Sequence, residues 1–204
     1  MKVELINHSP DPEMSIAIAG GISHDNEIQT TEGARDLIRD LKDWGHFSPF
    51  EFAWAQFKIS DVSRSMLAQI TRHRLASYMV ESMRYVEQGN QWPVIPDSWK
   101  GIDDEEVQLA IDQAIEGVNY VYDLLLEHGV PKEDARFILP IGSKTQLYMA
   151  ANYREFRHIF DLRDDKASQW EIQEVAHRML EQLYDIAPSV FEDSIADGDD
   201  ANDS

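Results

Sequence analysis

The 204-residue chain has no cysteine. That excludes disulfides, thiolate metal centres and cysteine nucleophiles. Lysine is scarce too, with seven residues against 38 carboxylates, and the net charge is −20. So acidic a chain is a poor partner for nucleic acid or an anionic membrane, and neither is expected. No apolar run is long enough to cross a bilayer, and the N-terminus lacks a basic-then-apolar leader pattern. A soluble, cytoplasmic protein is therefore expected. No G-x-G-x-x-G follows a strand pattern and no P-loop is present, so a dinucleotide would not be held in the Rossmann or Walker manner. The histidines lack paired zinc-ligand spacing such as H-x-x-x-H, and no metal site is expected.

What is present supports one globular domain. Hydrophobic residues make up 43% of the chain, enough for a sizeable core. Weak alternation marks residues 2–7 as a first strand, and the apolar stretch Met14–Ala19 opens a helix. Ala34, Leu37, Ile38 and Leu41 form a helical stripe over 31–44 that stops at Gly45. Residues 52–59 alternate as a strand buried on much of both faces, with Ser60 or Asp61 capping the next helix. Residues 103–128 form the clearest helix, with Val107, Ile111, Ile115, Val118, Tyr122 and Leu125 on its apolar side. Pro131 starts a short helix, Thr145–Asn152 reads as a strand, and helices follow at 153–162 and 166–187. The expected class is α+β: a single domain, mostly helical, with a small antiparallel sheet. Its span is 1–192, followed by an acidic tail, 193–204, expected to be disordered.

The cations are not spread evenly. Seven of the eleven arginines fall at 72, 74, 84, 136, 154, 157 and 163. The densest stretch, Arg72–Tyr85, reads RHRLASYMVESMRY, and Gln69 would share a helix face with Arg72 and His73. Clustered guanidinium groups suit a multiply charged anion, because each offers a planar fork to phosphate or carboxylate. Arg35 and Arg39 instead sit among Asp36, Asp40 and Asp43 and read as local charge neutralisers. Ser82 has no evident His and Asp partners, so a nucleophilic triad is unsupported. On a helix Arg154, Arg157 and His158 share one face while Arg163, nine residues on, points the opposite way. That split suggests two jobs.

Four stretches together resemble the flavin-dependent thymidylate synthases. The first is RHR, then seven residues, Ser82, and the pair Arg84–Tyr85. The second is HFSPFEF, from His46 through Ser48, Pro49, Phe50 and Glu51 to Phe52. The third is ARFILP at 135–140, and the fourth is NYREFRHIFDLRDDKASQWEI, starting at Asn152. One departure stands inside the first motif: the family's Asn-Glu pair is replaced by Met79 and Val80, with Glu81 one place later. The resemblance covers roughly residues 44–176.

It implies reductive methylation of dUMP to dTMP, with FAD as cofactor and NADPH and methylenetetrahydrofolate as co-substrates. The other type of thymidylate synthase uses a cysteine thiolate, which this chain lacks. By resemblance Gln69, Arg72, Glu81, Ser82, Met83, Arg84, Arg136 and Arg163 bind the nucleotide, and Arg163 activates its pyrimidine. Ser48, Arg72, His73, Arg74, Asn152, Arg154 and His158 bind the flavin. The implied assembly is a homotetramer with shared active sites. Two other readings remain open: a related flavin enzyme acting on another pyrimidine nucleotide, and a nucleotide-binding regulatory protein without turnover.

Overall fold

A computed structural model describes residues 1–22, 27–88 and 92–202, with side chains as far as residue 195. Along the chain, β1 (Lys2–His8) is followed by α1 (Pro12–Ile22), α2 (Thr31–Asp43) and a 3₁₀ turn at Ser48–Phe52. Then come β2 (Trp54–Ser63), α3 (Arg64–Ile70), β3 (Ser77–Val80), α4 (Asp97–Lys100), α5 (Glu105–Glu127) and α6 (Lys132–Ala135). After a second 3₁₀ turn, Arg136–Ile138, the chain forms β4 (Lys144–Asn152), α7 (Tyr153–Arg163), α8 (Trp170–Ile186) and α9 (Pro188–Asn202). The structure is 56% helical and its four-stranded antiparallel sheet has the order β1-β2-β4-β3. The α+β class is as expected. No helix among the described residues is long and apolar enough to cross a membrane.

The chain divides into two compact units. One comprises Met1, Ser60–Ala68 and Val80–Leu147; the other comprises Lys2–Ile59, Gln69–Met79 and the chain from Tyr148 onward. The boundary expected at 192 falls inside α9. In that helix Asp193 accepts from Arg157 Nη1 and Nη2 at 2.9 and 2.7 Å and from Lys42 Nζ at 3.2 Å. These donors hold the Asp193 carboxyl at about 2, against a burial effect that alone would raise it.

The second unit is built on an aromatic and aliphatic core. Phe57, Phe156, Phe160 and Phe191 pack with ring centroids 5.5 to 6.0 Å apart, and Ile172, Val175, Met179 and Leu183 are fully buried. Glu13, 5% exposed, ties the chain ends together: its Oε1 accepts from Ser189 N and Oγ at 2.9 and 2.7 Å, while Oε2 accepts from Arg35. α2 starts where Thr30 Oγ1 accepts from Gly33 N at 3.1 Å, and Gly45, at φ +70°, follows its end.

Several local expectations change. Ala55, Phe57 and Ile59 are buried but Trp54 is exposed, so β2 is covered on one face. The next helix is capped by Ser63, whose Oγ accepts from Met66 N at 3.0 Å; Asp61 lies within β2 at φ +56°. α5 buries only Tyr122, leaving Val107, Leu109, Tyr120 and Val121 exposed.

Candidate functional site

The second unit carries the residues read as flavin ligands, together with Arg163. α3 ends at Ile70, so Arg72 and His73 lie in successive turns, their N–H groups donating to Gln69 O and Ile70 O. They therefore do not share a helix face with Gln69, which instead donates from Nε2 to Gln169 Oε1 at 3.4 Å. The turns send Arg72 and Arg74 to solvent and His73 inward. The Tyr78 hydroxyl pins this backbone, donating to Ile70 O at 2.6 Å and His73 O at 3.1 Å.

The His73 ring is the centre of the cluster. Its Nε2 accepts from Arg163 Nε at 3.0 Å, its Nδ1 lies 3.8 Å from Glu155 Oε1, and its ring meets that of His158 edge-on at 5.8 Å. Burial, followed by the positive charges of Arg163, His158 and Arg72, lowers its pKa to about 4. Burial also raises the Glu155 carboxyl, opposed by His158. α7 is oriented by Asn152, whose Oδ1 accepts from Glu155 N at 2.9 Å. His158 and Arg163, expected on opposite faces of α7, both reach the His73 ring. Arg157 faces away, with Nη1 donating to Val190 O at 2.5 Å and both terminal nitrogens donating to Asp193. Arg154 Nη1 donates to Glu51 Oε1 at 2.6 Å, and Ser48 is exposed at the start of its 3₁₀ turn.

The first unit carries most of the residues read as nucleotide ligands. Arg84 Nε pairs with Glu133 Oε2 at 2.6 Å, and Arg136 Nε donates to the Glu133 main-chain oxygen at 3.0 Å. Ser82 Oγ accepts from Arg84 N at 3.3 Å, and Met83 is buried. Glu81 is held by two amides: Gln88 Nε2 at 3.2 Å and Gln146 Nε2 at 2.7 Å. It lines an open cavity of about 280 Å³ with Ser60, Asp61, Lys144, Thr145 and Gln146, and Thr145 Oγ1 is buried without a hydrogen-bond partner among the described residues.

One group was missed from sequence. Arg64, at the start of α3, has a buried Nη1 with no hydrogen-bond partner among the described residues. Burial and then the charge of Arg136 lower its pKa, with Glu81 opposing. A buried guanidinium nitrogen without an acceptor is expensive unless an anion completes it. The available signal was its place eight residues before Arg72; its burial had no sequence signature.

The arginines divide into two sets. Arg35, Arg39, Arg84, Arg154, Arg157 and Arg178 pair with carboxylates. Among the described side chains Arg64, Arg72, Arg74, Arg136 and Arg163 have no carboxylate within 4.0 Å. In a chain of net charge −20, leaving five cations unpaired is a marked asymmetry. Arg72 and Arg74 can hold a diphosphate-bearing cofactor, and Arg64 and Arg136 a phosphate ester. The pairs at Arg84 and Arg154 are solvent-exposed, worth about 0–1 kcal/mol, so an incoming anion can displace them. No group of three or more potential metal ligands occurs among the described residues.

These features describe an acidic α+β protein that leaves five arginines without a carboxylate partner among the described side chains. The profile of the family described as "Thymidylate synthase complementing protein" matches residues 4–189. A flavin-dependent thymidylate synthase of Haloarcula marismortui is 38% identical, with 94% of each chain covered. One from Geobacter sulfurreducens is 35% identical, covering 95% of this chain and 87% of the relative. Among solved structures, a UMP/dUMP methylase, PolB from Streptomyces cacaoi bound with 5-Br dUMP, superposes with a TM-score of 0.83 at 28% identity, covering 96% of this chain and 94% of that one. The chain belongs to the flavin-dependent thymidylate synthase family.

Proposed function

We propose that this chain methylates dUMP to dTMP as a cytoplasmic homotetramer, with Arg163 acting in the chemical step. The observation that carries the reading is the set of five arginines without acid partners among the described side chains, four of them at family motif positions. When bound, FAD reduced by NADPH supplies the hydride, and methylenetetrahydrofolate supplies the carbon. The chain's own share is binding, orientation and electrostatics. In the first unit Arg64, Arg84 and Arg136, with Glu81, Ser82 and Met83, are nucleotide ligands, and in the second unit Gln69 and Arg72 are. Arg72, His73, Arg74, Asn152, Arg154, His158 and Ser48 hold the flavin. Arg163 faces the pyrimidine edge, where hydride addition at C6 drives negative charge toward C4 and N3. A fixed guanidinium there stabilises the transition state more than the neutral ring, the condition for raising turnover. The exposed apolar residues of α5 support assembly, since Leu109 and Tyr120 are 57% and 66% exposed.

The test starts with the purified protein. It should be yellow, elute as a tetramer, and oxidise NADPH with dTMP formation when given dUMP and methylenetetrahydrofolate. Arg163→Ala should retain FAD and the tetramer while losing about a hundredfold or more in turnover. Near-normal turnover in that variant would overturn the role of Arg163. A second reading, methylation of UMP, is favoured by Met79, which stands in place of the family's Asn, is 74% exposed and lines a cavity with Gln56 and Tyr148. Equal turnover of UMP and dUMP would support it.

A further inference from the structure

The arrangement around His73 does more than line a cofactor site. Its Nε2 accepts a hydrogen bond from Arg163, so Nε2 cannot carry a proton while that bond stands. The ring proton must then sit on Nδ1, the nitrogen facing Glu155 Oε1 at 3.8 Å. Both partners are deep: the side chains of His73 and Glu155 are 3% and 5% exposed. The surroundings hold the trio in register. Tyr78 fixes the His73 carbonyl, and Asn152 fixes the first turn of α7, on which Glu155 lies two residues from the start. The guanidinium is thus gripped at Nε, and among the described residues neither terminal nitrogen has a hydrogen-bond partner.

We propose that Glu155 and His73 form a positioning pair that sets the orientation of Arg163: Glu155 selects the Nδ1–H tautomer of His73, and His73 aims the two terminal nitrogens of Arg163 at the substrate. The proposal rests on the reading that Arg163 acts on the pyrimidine. A carboxylate orients an imidazole in the same way beside metal ions and catalytic serines, by fixing which ring nitrogen carries the proton. Here the group being aimed is a cation. That explains why the imidazole must remain neutral: protonated, it would repel Arg163 and offer it no acceptor. The lowered pKa of His73 keeps the acceptor available at neutral pH. Loss of the tautomer would put an N–H against the Nε–H of Arg163 and swing the guanidinium away. A misplacement of about 1 Å costs on the order of a hundredfold in rate.

The experiment uses the FAD-loaded enzyme and four variants. Long-range ¹H–¹⁵N spectra of the imidazoles, with His73→Gln identifying the His73 signal, should show the Nδ1–H tautomer in the wild type. Glu155→Leu should shift that signal toward Nε2–H and lower kcat by roughly tenfold to a hundredfold. Its KM for dUMP should stay within about twofold, because the nucleotide does not touch Glu155 in this scheme, and rates are compared per bound FAD because His73 is also read as a flavin ligand. Glu155→Gln keeps a side-chain oxygen dipole facing Nδ1–H and should recover most of the turnover. An Nε2–H tautomer in the wild type would overturn the proposal even if Glu155→Leu failed to fold. So would wild-type kcat in Glu155→Leu, or equal losses in both Glu155 variants with the tautomer unchanged. A normally active Arg163→Ala would instead remove the underlying role of Arg163, whatever tautomer His73 shows.

Discussion

Acid should destabilise this protein through His73 before most of its carboxylates titrate. The ring is 3% exposed and surrounded by positive charge from Arg163, His158 and Arg72, with Glu155 the carboxylate facing it. Burial first, and those charges second, hold its pKa at about 4 rather than 6.5. Between these values the unfolded chain binds a proton that the folded chain refuses, so stability rises with pH. The contribution is fully present above pH 6.5 and is lost as pH falls toward 4. At about 1.4 kcal/mol per pH unit, the gap amounts to roughly 3 kcal/mol. Glu155 and Asp164, whose carboxyls burial raises, act in the opposite sense: their contributions are present at low pH and lost as pH rises through their folded values. Asp193, held at about 2, loses its contribution only below its unfolded value of 3.8. Equilibrium urea unfolding from pH 7.5 to 4, at constant ionic strength, should be run on the wild type and on His73→Gln. Glutamine is neutral throughout and its amide oxygen can accept from Arg163. The wild type should lose about 3 kcal/mol more than the variant between pH 6.5 and 4. Parallel curves for the two proteins would refute the reasoning.

Two further outcomes follow from the packing and the charge. Glu13→Ala leaves the buried N–H and O–H of Ser189 without an acceptor, so it should cost about 3 kcal/mol in denaturant melts, with Glu13→Gln milder because Oε1 remains. The net charge of −20 strains the folded state by self-repulsion, which salt screens over about 10 Å at 0.1 M. The melting temperature should therefore rise from low to molar KCl, and a flat or falling response would contradict this.

The fold was most legible where periodicity and punctuation agree. α2 has its Thr30 cap, the Ala34–Ile38–Leu41 stripe and Gly45 beyond its end, so local sequence alone defines it. The arginine motif was legible for a different reason: an acidic chain that gathers its few cations into short segments is built to hold anions. The misses arise where tertiary structure decides. Helix α3 stops at Ile70 because Tyr78, eight residues away, captures the carbonyls of Ile70 and His73. Ser63 caps that helix because Asp61 is used by β2 in a left-handed conformation. Arg157 looked like its neighbours in sequence, yet Asp193 and Val190, more than thirty residues later, make it an anchor for α9. His73 and Arg163 are ninety residues apart, and no spacing rule brings them together.

The unpaired arginines also bear on how ligands arrive. Nucleotide, flavin and nicotinamide cofactor all carry phosphate, and the protein they approach is strongly negative. At long range the net field repels them, so capture begins only once a ligand comes within a few ångströms of Arg64, Arg72, Arg74 or Arg136. Most charged-ligand enzymes attract from afar and slow down as electrolyte is added. In this one the first increments of electrolyte lower the outer repulsive barrier before they weaken the inner grip, so encounter rates climb with ionic strength before they turn over.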